Sequence, residues 1–122
     1  MKKFKPDGWP TVTPRIFSKD VPGLIDFLCL VFDAAGKSSP GAPAEVKIGE
    51  SLIMISDGGG MRERTTAFLY VYVRDAEETY RRAITAGATS IEKPTDTPYG
   101  DRRARVRDAW GNTWQIATYQ GA

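Results

Sequence analysis

Histidine is absent from the 122 residues. Without imidazole, neither a serine nor a cysteine nucleophile has its usual base, and the commonest transition-metal ligand is missing. A metal site would have to be built from carboxylates, amides or water. Cysteine occurs once, as Cys29, beside Leu28, Leu30 and Val31. One thiol excludes an internal disulfide, and its apolar surroundings point to a core position rather than a nucleophile. No apolar run approaches the ~20 residues of a membrane-spanning helix, so no membrane partner is expected. Pro6-Asp7-Gly8 follow Lys5 where a secretory segment would need an apolar run, so a cytoplasmic location is expected. An excess of one charge is also lacking. The net charge of +2 is too small to argue for a nucleic-acid partner, and Lys2, Lys3 and Lys5 read as a solvated tail.

What is present is an ordinary folding composition. Apolar residues make up 41% and charged residues 26%, which suits a single domain spanning 1–122 with a buried core. "TVTPRIFS" (11–18) reads as a strand. Asp20 and Pro22 start a helix whose apolar stripe is Leu24, Phe27, Leu28 and Val31, with Gly36 as its stop. Residues 36–43 read as a loop. Two strands then flank Gly49-Glu50. The glycines at 58–60 lack a following phosphate-loop lysine and read as a hinge between halves.

The second half begins with the strand "TAFLYVYV" (66–73). Asp75 caps a helix with Glu78 as its capping-box partner, and Ala76, Tyr80, Ala83 and Ile84 form the apolar face. Strands are expected at "ATSIEKP" and "RRARVRD", a turn at 108–111, and a last strand at 112–119. The two halves repeat. Thr13 stands seven residues before Asp20, as Phe68 does before Asp75, and Gly49 precedes "ESLIMIS" as Gly111 precedes "NTWQIAT". Thirteen positions separate Gly36 from Gly49, whereas twenty-four separate Gly87 from Gly111. The first half is therefore expected to be shorter by about one strand.

The segments "VKIGESLIMISDG", "LYVYVRDAEETYRRAITAGAT" and "YGDRRARVRDAWGNTWQIAT" carry a resemblance over residues 11–119. The chain resembles the vicinal-oxygen-chelate superfamily of glyoxalase I, bleomycin-resistance proteins and extradiol dioxygenases, and in particular its PhnB-like, glyoxalase-related subgroup. Members commonly read Asp-Pro-Phe-Gly-His where this chain has Asp108-Ala109-Trp110-Gly111-Asn112. The resemblance implies an α+β fold of duplicated βαβββ modules, here 11–57 (shortened) and 66–119, and a homodimer. It also implies four metal-ligand positions, one on the first and one on the last strand of each half. These fall at Thr13, Ile53 (Met54 if the register slips by one), Phe68 and Gln115. Only Gln115 offers a good oxygen, Thr13 offers a weak one, and a phenyl ring cannot coordinate. No metal and no cofactor are therefore expected.

Strand alternation sorts the remaining side chains. With Phe68 on the concave face, Tyr70 and Tyr72 join it, while Leu69, Val71 and Val73 turn to the helices. Arg15 and Phe17 join Thr13, and Thr113 and Ala117 join Gln115, with Trp114 and Ile116 under the helices. Tyr99 and Trp110 are further candidate contacts at the mouth. The expected ligand site is thus Thr13, Arg15, Phe17, Phe68, Tyr70, Tyr72, Tyr99, Trp110 and Gln115. Such a surface suits a flat or cationic small molecule held by stacking and a few hydrogen bonds. The alternative is that these rings fill a closed core or a subunit contact. Arg103, Arg105 and Arg107 form one basic strand face, either solvated or poised for an acidic ligand. Binding without chemistry is the favoured function. The competing reading is a lyase, isomerase or dioxygenase of unusual site, with Glu45, Glu50 or Asp101 as base and Tyr70 or Tyr72 as acid.

Overall fold

The computed structural model describes residues 4–57 and 65–121, so Lys2, Lys3 and the expected hinge at 58–60 lie outside the described residues. Ten elements follow in order: β1 Arg15–Phe17, α1 Val21–Phe32, β2 Ala35–Ser39, β3 Ala42–Ile48, β4 Ser51–Ser56, β5 Phe68–Tyr72, α2 Ala76–Thr85, β6 Thr89–Asp96, β7 Asp101–Arg107 and β8 Thr113–Tyr119. They form two four-stranded sheets, ordered β1-β4-β3-β2 and β5-β8-β7-β6. In each, the first strand pairs parallel with the last, and the other pairs are antiparallel. The α+β fold of duplicated βαβββ modules is present.

The first module has not lost a strand. The run 36–43, which reads as a loop, is mostly the hairpin of β2 and β3 around Pro40-Gly41, with Gly41 at φ 75°. Serine and glycine give β2 no intrinsic strand preference. Its backbone bonds to β3 hold it, from Ala35 opposite Lys47 to Ser39 opposite Ala42. The brevity lies in the element lengths: β2 has 5 residues where β6 has 8.

Asp20 caps α1 by accepting from the Gly23 N–H at 3.0 Å, with Pro22 in the first turn where its missing donor costs nothing. The helix ends earlier than expected. Asp33 takes the left-handed conformation at φ 55° and closes it, and the backbone N–H there reaches the Leu28 carbonyl. Gly36 is therefore a strand residue and not a helix stop. A Cβ at Gly36 would sit 2.6 Å from the Glu45 carbonyl oxygen, inside the β2–β3 ladder. Gly36→Ala is expected to destabilise by about 1–3 kcal/mol in urea unfolding, as overpacking does. An unchanged midpoint would show that the edge strand moves aside freely.

Asp75 caps α2 through the Glu78 N–H at 3.1 Å. The buried residues of α2 are Ala76, Thr79 and Ala83, whereas Ile84 is exposed and the Tyr80 hydroxyl donates to Ser90. One continuous core joins both modules. It takes Ile16, Val46, Ile53 and Ile55 from the first sheet, Leu24, Leu28 and Val31 from α1, and Val106, Trp114 and Ile116 from the second sheet. Phe32 of α1 packs on Trp114 at 5.4 Å between ring centres, and Phe27 meets Trp110 edge-on at 6.3 Å. Because this core uses the helix-facing side of both sheets, the opposite faces of both look outward. Among the described residues no helix is long and apolar enough to cross a membrane.

Candidate functional site

The outward face of the second sheet is the chemically distinctive surface. β5 buries Leu69 and Val71 partly against the core and leaves Phe68, Tyr70 and Tyr72 on the other side, 63%, 37% and 62% exposed. The rings do not fill a closed core within the chain. Register then decides their neighbours. Phe68 lies opposite Thr113, Tyr70 opposite Gln115 and Tyr72 opposite Ala117. On the far side of β8, Gln115 faces Arg105, Ala117 faces Arg103 and Tyr119 faces Asp101. Odd-numbered residues of β7 therefore share the face with the aromatic row, so the basic stripe belongs to this surface.

Asp101 organises that row. It is 1% exposed, and its Oδ2 accepts from the Tyr70 hydroxyl at 2.6 Å and from the Tyr72 hydroxyl at 2.8 Å. The two rings tilt together at 5.3 Å. Burial, and then donation to Asp101, holds the Tyr70 phenol above its ordinary range; for Tyr72 the bond to Asp101 is the larger cause. The Tyr99 hydroxyl lies 3.4 Å from that of Tyr70 and accepts from Arg103 Nη1 at 2.9 Å, and these two contacts lower the Tyr99 phenol. Arg103 is in turn gripped by both oxygens of Glu92, at 2.9 and 3.1 Å, which lowers the Glu92 carboxyl. The guanidinium of Arg105 rests 5.8 Å from the Phe68 ring centre.

A second buried carboxylate shapes the turn before β8. Asp108 Oδ1 accepts from the backbone N–H groups of Trp110 and Asn112, both at 2.9 Å. Its Oδ2 accepts from Asn112 Nδ2 at 3.0 Å and from Trp114 Nε1 at 2.9 Å. Asn112 passes the constraint on, since its Oδ1 accepts from the Ala67 N–H at the entry to β5. The turn Asp108–Asn112 thus fixes where β5 and β8 begin, and so the register of the aromatic row.

The nine expected site residues do not converge within one chain. Phe68, Tyr70, Tyr72, Tyr99 and Gln115 meet on the second sheet. Arg15 and Phe17 lie on the first sheet, where Arg15 Nε donates to Ser56 and its guanidinium stacks on Phe17 at 5.9 Å. Thr13 precedes β1 as loop. Trp110 packs on Phe27 and, with Phe17, helps line a cavity of about 220 Å3 at the junction of the modules. Alternation alone missed Asp101, Arg105 and Glu92 as members of the face. The odd parity of Asp101 and Arg105 with Arg103 and Arg107 is visible in the sequence; that β7 flanks β8, and that Glu92 of β6 reaches Arg103, is not.

Met54, not Ile53, lies opposite Arg15 on the outward face of the first sheet, while Ile53 is core, so the register does slip by one. The four metal-ligand positions become Thr13, Met54, Phe68 and Gln115. A hydroxyl, a thioether, a phenyl ring and an amide do not make a divalent-ion site. Among the described residues no three carboxylate or thiol groups converge elsewhere either.

A family model for the glyoxalase/bleomycin resistance protein/dioxygenase superfamily matches residues 12–116. The chain belongs to that superfamily. An uncharacterised Mycobacterium tuberculosis protein is 27% identical over 88% of this chain and 73% of its own. Among solved structures, TioX from Micromonospora superposes with a TM-score of 0.76 at 23% identity, over 90% of this chain and 98% of that one. The fosfomycin resistance protein FosX from Mesorhizobium loti superposes with a TM-score of 0.68 at 19% identity, over 93% and 92%. These two likenesses establish the superfamily fold, and the function must be argued from the site.

Proposed function

We propose that this superfamily member is a small-molecule-binding protein that holds a flat organic ligand on the outward face of β5 and β8, without a resident metal. One observation carries the reading: three aromatic side chains stand in an exposed row whose two phenol groups are tied to a single buried carboxylate. Rings already held in place lose little freedom when a planar partner stacks on them. The same geometry argues against Asp101 as a catalytic base. Asp101 accepts from two phenols and serves as their anchor, so it is not available as a base.

A homodimer suits this arrangement. Both sheets turn their outward faces away from the shared core, so a second copy can set the Arg15–Phe17 surface of its first sheet against the Phe68 row and enclose the ligand. A dimer mass by light scattering is expected, and a monomer at all concentrations would leave the face open.

The ligand reading is tested with 8-anilinonaphthalene-1-sulfonate, a flat fluorescent arene. Saturable, blue-shifted fluorescence is expected. Phe68→Ala should weaken it at least about tenfold, roughly one buried aromatic contact, with unchanged circular dichroism. Absence of saturable binding, both for this dye and in a thermal-shift screen of antibiotics and aromatic metabolites, would defeat the proposal.

A further inference from the structure

On the outward face of the second sheet Asp101, Tyr70, Tyr72, Tyr99, Arg103 and Glu92 satisfy one another, whereas Arg105 and Gln115 take no part in that network. Arg105 and Gln115 lie directly opposite in the β7–β8 register. Gln115 is only 9% exposed, and among the described residues its side-chain amide makes no hydrogen bond. Arg105 Nε is buried with no acceptor. No carboxylate pairs with Arg105 among the described residues, whereas the two arginines preceding it in β7 are paired. Arg102 is held by Glu77 and Asp96, and Arg103 by Glu92. Glu92 feels the charge of Arg105, but both of its oxygens are engaged by Arg103.

A buried donor left without a partner, as Arg105 Nε is, costs free energy, and the Gln115 amide beside it still reaches solvent. Here a guanidinium fork and an amide adjoin each other beside an exposed ring. A guanidinium presents parallel N–H groups that match the two oxygens of a carboxylate, and the amide NH2 adds a further donor. Phe68 meets Arg105 from one side and offers its remaining surface to a planar ring.

We infer that Arg105 and Gln115 form a carboxylate-binding subsite beside the aromatic row, so that the ligand is an aromatic acid and not a neutral arene. This inference rests on the aromatic-ligand reading above and specifies its chemistry. The probes are 2-naphthoate and its neutral isostere naphthalene-2-carboxamide, titrated calorimetrically into the full chain at low salt. The acid is expected to bind at least about tenfold tighter than the amide, the scale of a charge-assisted hydrogen-bond pair. Arg105→Gln should abolish the preference, so that acid and amide bind with equal affinity. Gln115→Glu, which sets a second anion beside the first, should do the same by repulsion. It gives an independent result if the arginine variant folds poorly. Equal affinity of acid and amide in the unaltered chain, or a preference that survives both substitutions, overturns the subsite and leaves the aromatic-ligand reading standing. Binding of neither probe overturns the subsite, and the aromatic-ligand reading falls with it only if the dye and the thermal-shift screen also show no binding.

Discussion

Replacing Asp108 by alanine is expected to lower stability by about 3–5 kcal/mol, because it strands several buried donors at once. The carboxylate accepts from two backbone N–H groups, the Asn112 amide and the Trp114 indole. Asn112 and Trp114 are both fully buried, so water does not replace the lost acceptor without opening the core. Asp108→Asn should cost less, about 2 kcal/mol, since its one carbonyl oxygen still accepts while its NH2 confronts the remaining donors. Urea unfolding measures both. A loss below about 1 kcal/mol for the alanine variant would show that the turn does not depend on this carboxylate. The functional consequence follows from Asn112, which holds the Ala67 N–H at the entry to β5. Loosening the turn should therefore weaken dye binding as well as stability.

The second large effect concerns the phenols around Asp101. In a spectrophotometric titration of the five tyrosines, Tyr99 is expected to ionise early and Tyr70 and Tyr72 late, relative to the ordinary phenol near ~10. The sign for stability follows by linkage. A phenol whose folded-state pKa is raised contributes stability that is fully present below the unfolded value. That contribution is lost as pH rises through the folded value. The protein should therefore lose stability progressively in strongly alkaline solution from these two groups. Asp101→Asn removes the carboxylate. Tyr72, whose largest influence is that bond, should return toward the ordinary range, while Tyr70 should fall only in part because its burial remains. Two late phenols that persist in the variant would show that Asp101 is not their anchor. At neutral pH the same variant should bind the flat dye more weakly, since the rings lose their common anchor.

The anionic-ligand inference and the metal test draw on the same place in the fold. Gln115 occupies a position where the family resemblance expects a metal ligand. Its cross-strand neighbour is a guanidinium whose Nε has no acceptor. A positive charge beside that position disfavours a divalent ion and favours an anion.

How much of this was legible beforehand follows from the range of each interaction. Both helix starts were readable, because an aspartate reaching an N–H three residues on is a local event. So was the alternation that puts Phe68, Tyr70 and Tyr72 on one side and Trp114 and Ile116 on the other, since it depends only on the two-residue period of a strand. The strand β2 was not readable. Its serines and glycine have no strand preference, and only the ladder to β3 makes it one. The one-residue slip at Met54 was left open because the tight turn at Gly49-Glu50 sets the register, and a shift of one moves every side chain to the other face. Whether the two groups of site residues meet within one chain or between two is not legible in the sequence, because alternation assigns a face within a sheet and cannot say which way two sheets turn.

The missing histidine returns here with a narrower meaning. Composition alone determined that no imidazole could serve as base or ligand, and local periodicity determined the helices, the aromatic row and the buried tryptophan. Only the tertiary structure decided what stands around that row. Cross-strand pairing between β7 and β8 brings Asp101 under two phenols and places Arg105 beside Gln115. Such pairing joins residues far apart in the chain, whose approach is governed by register and by the shared core, and neither is encoded in any short stretch of sequence.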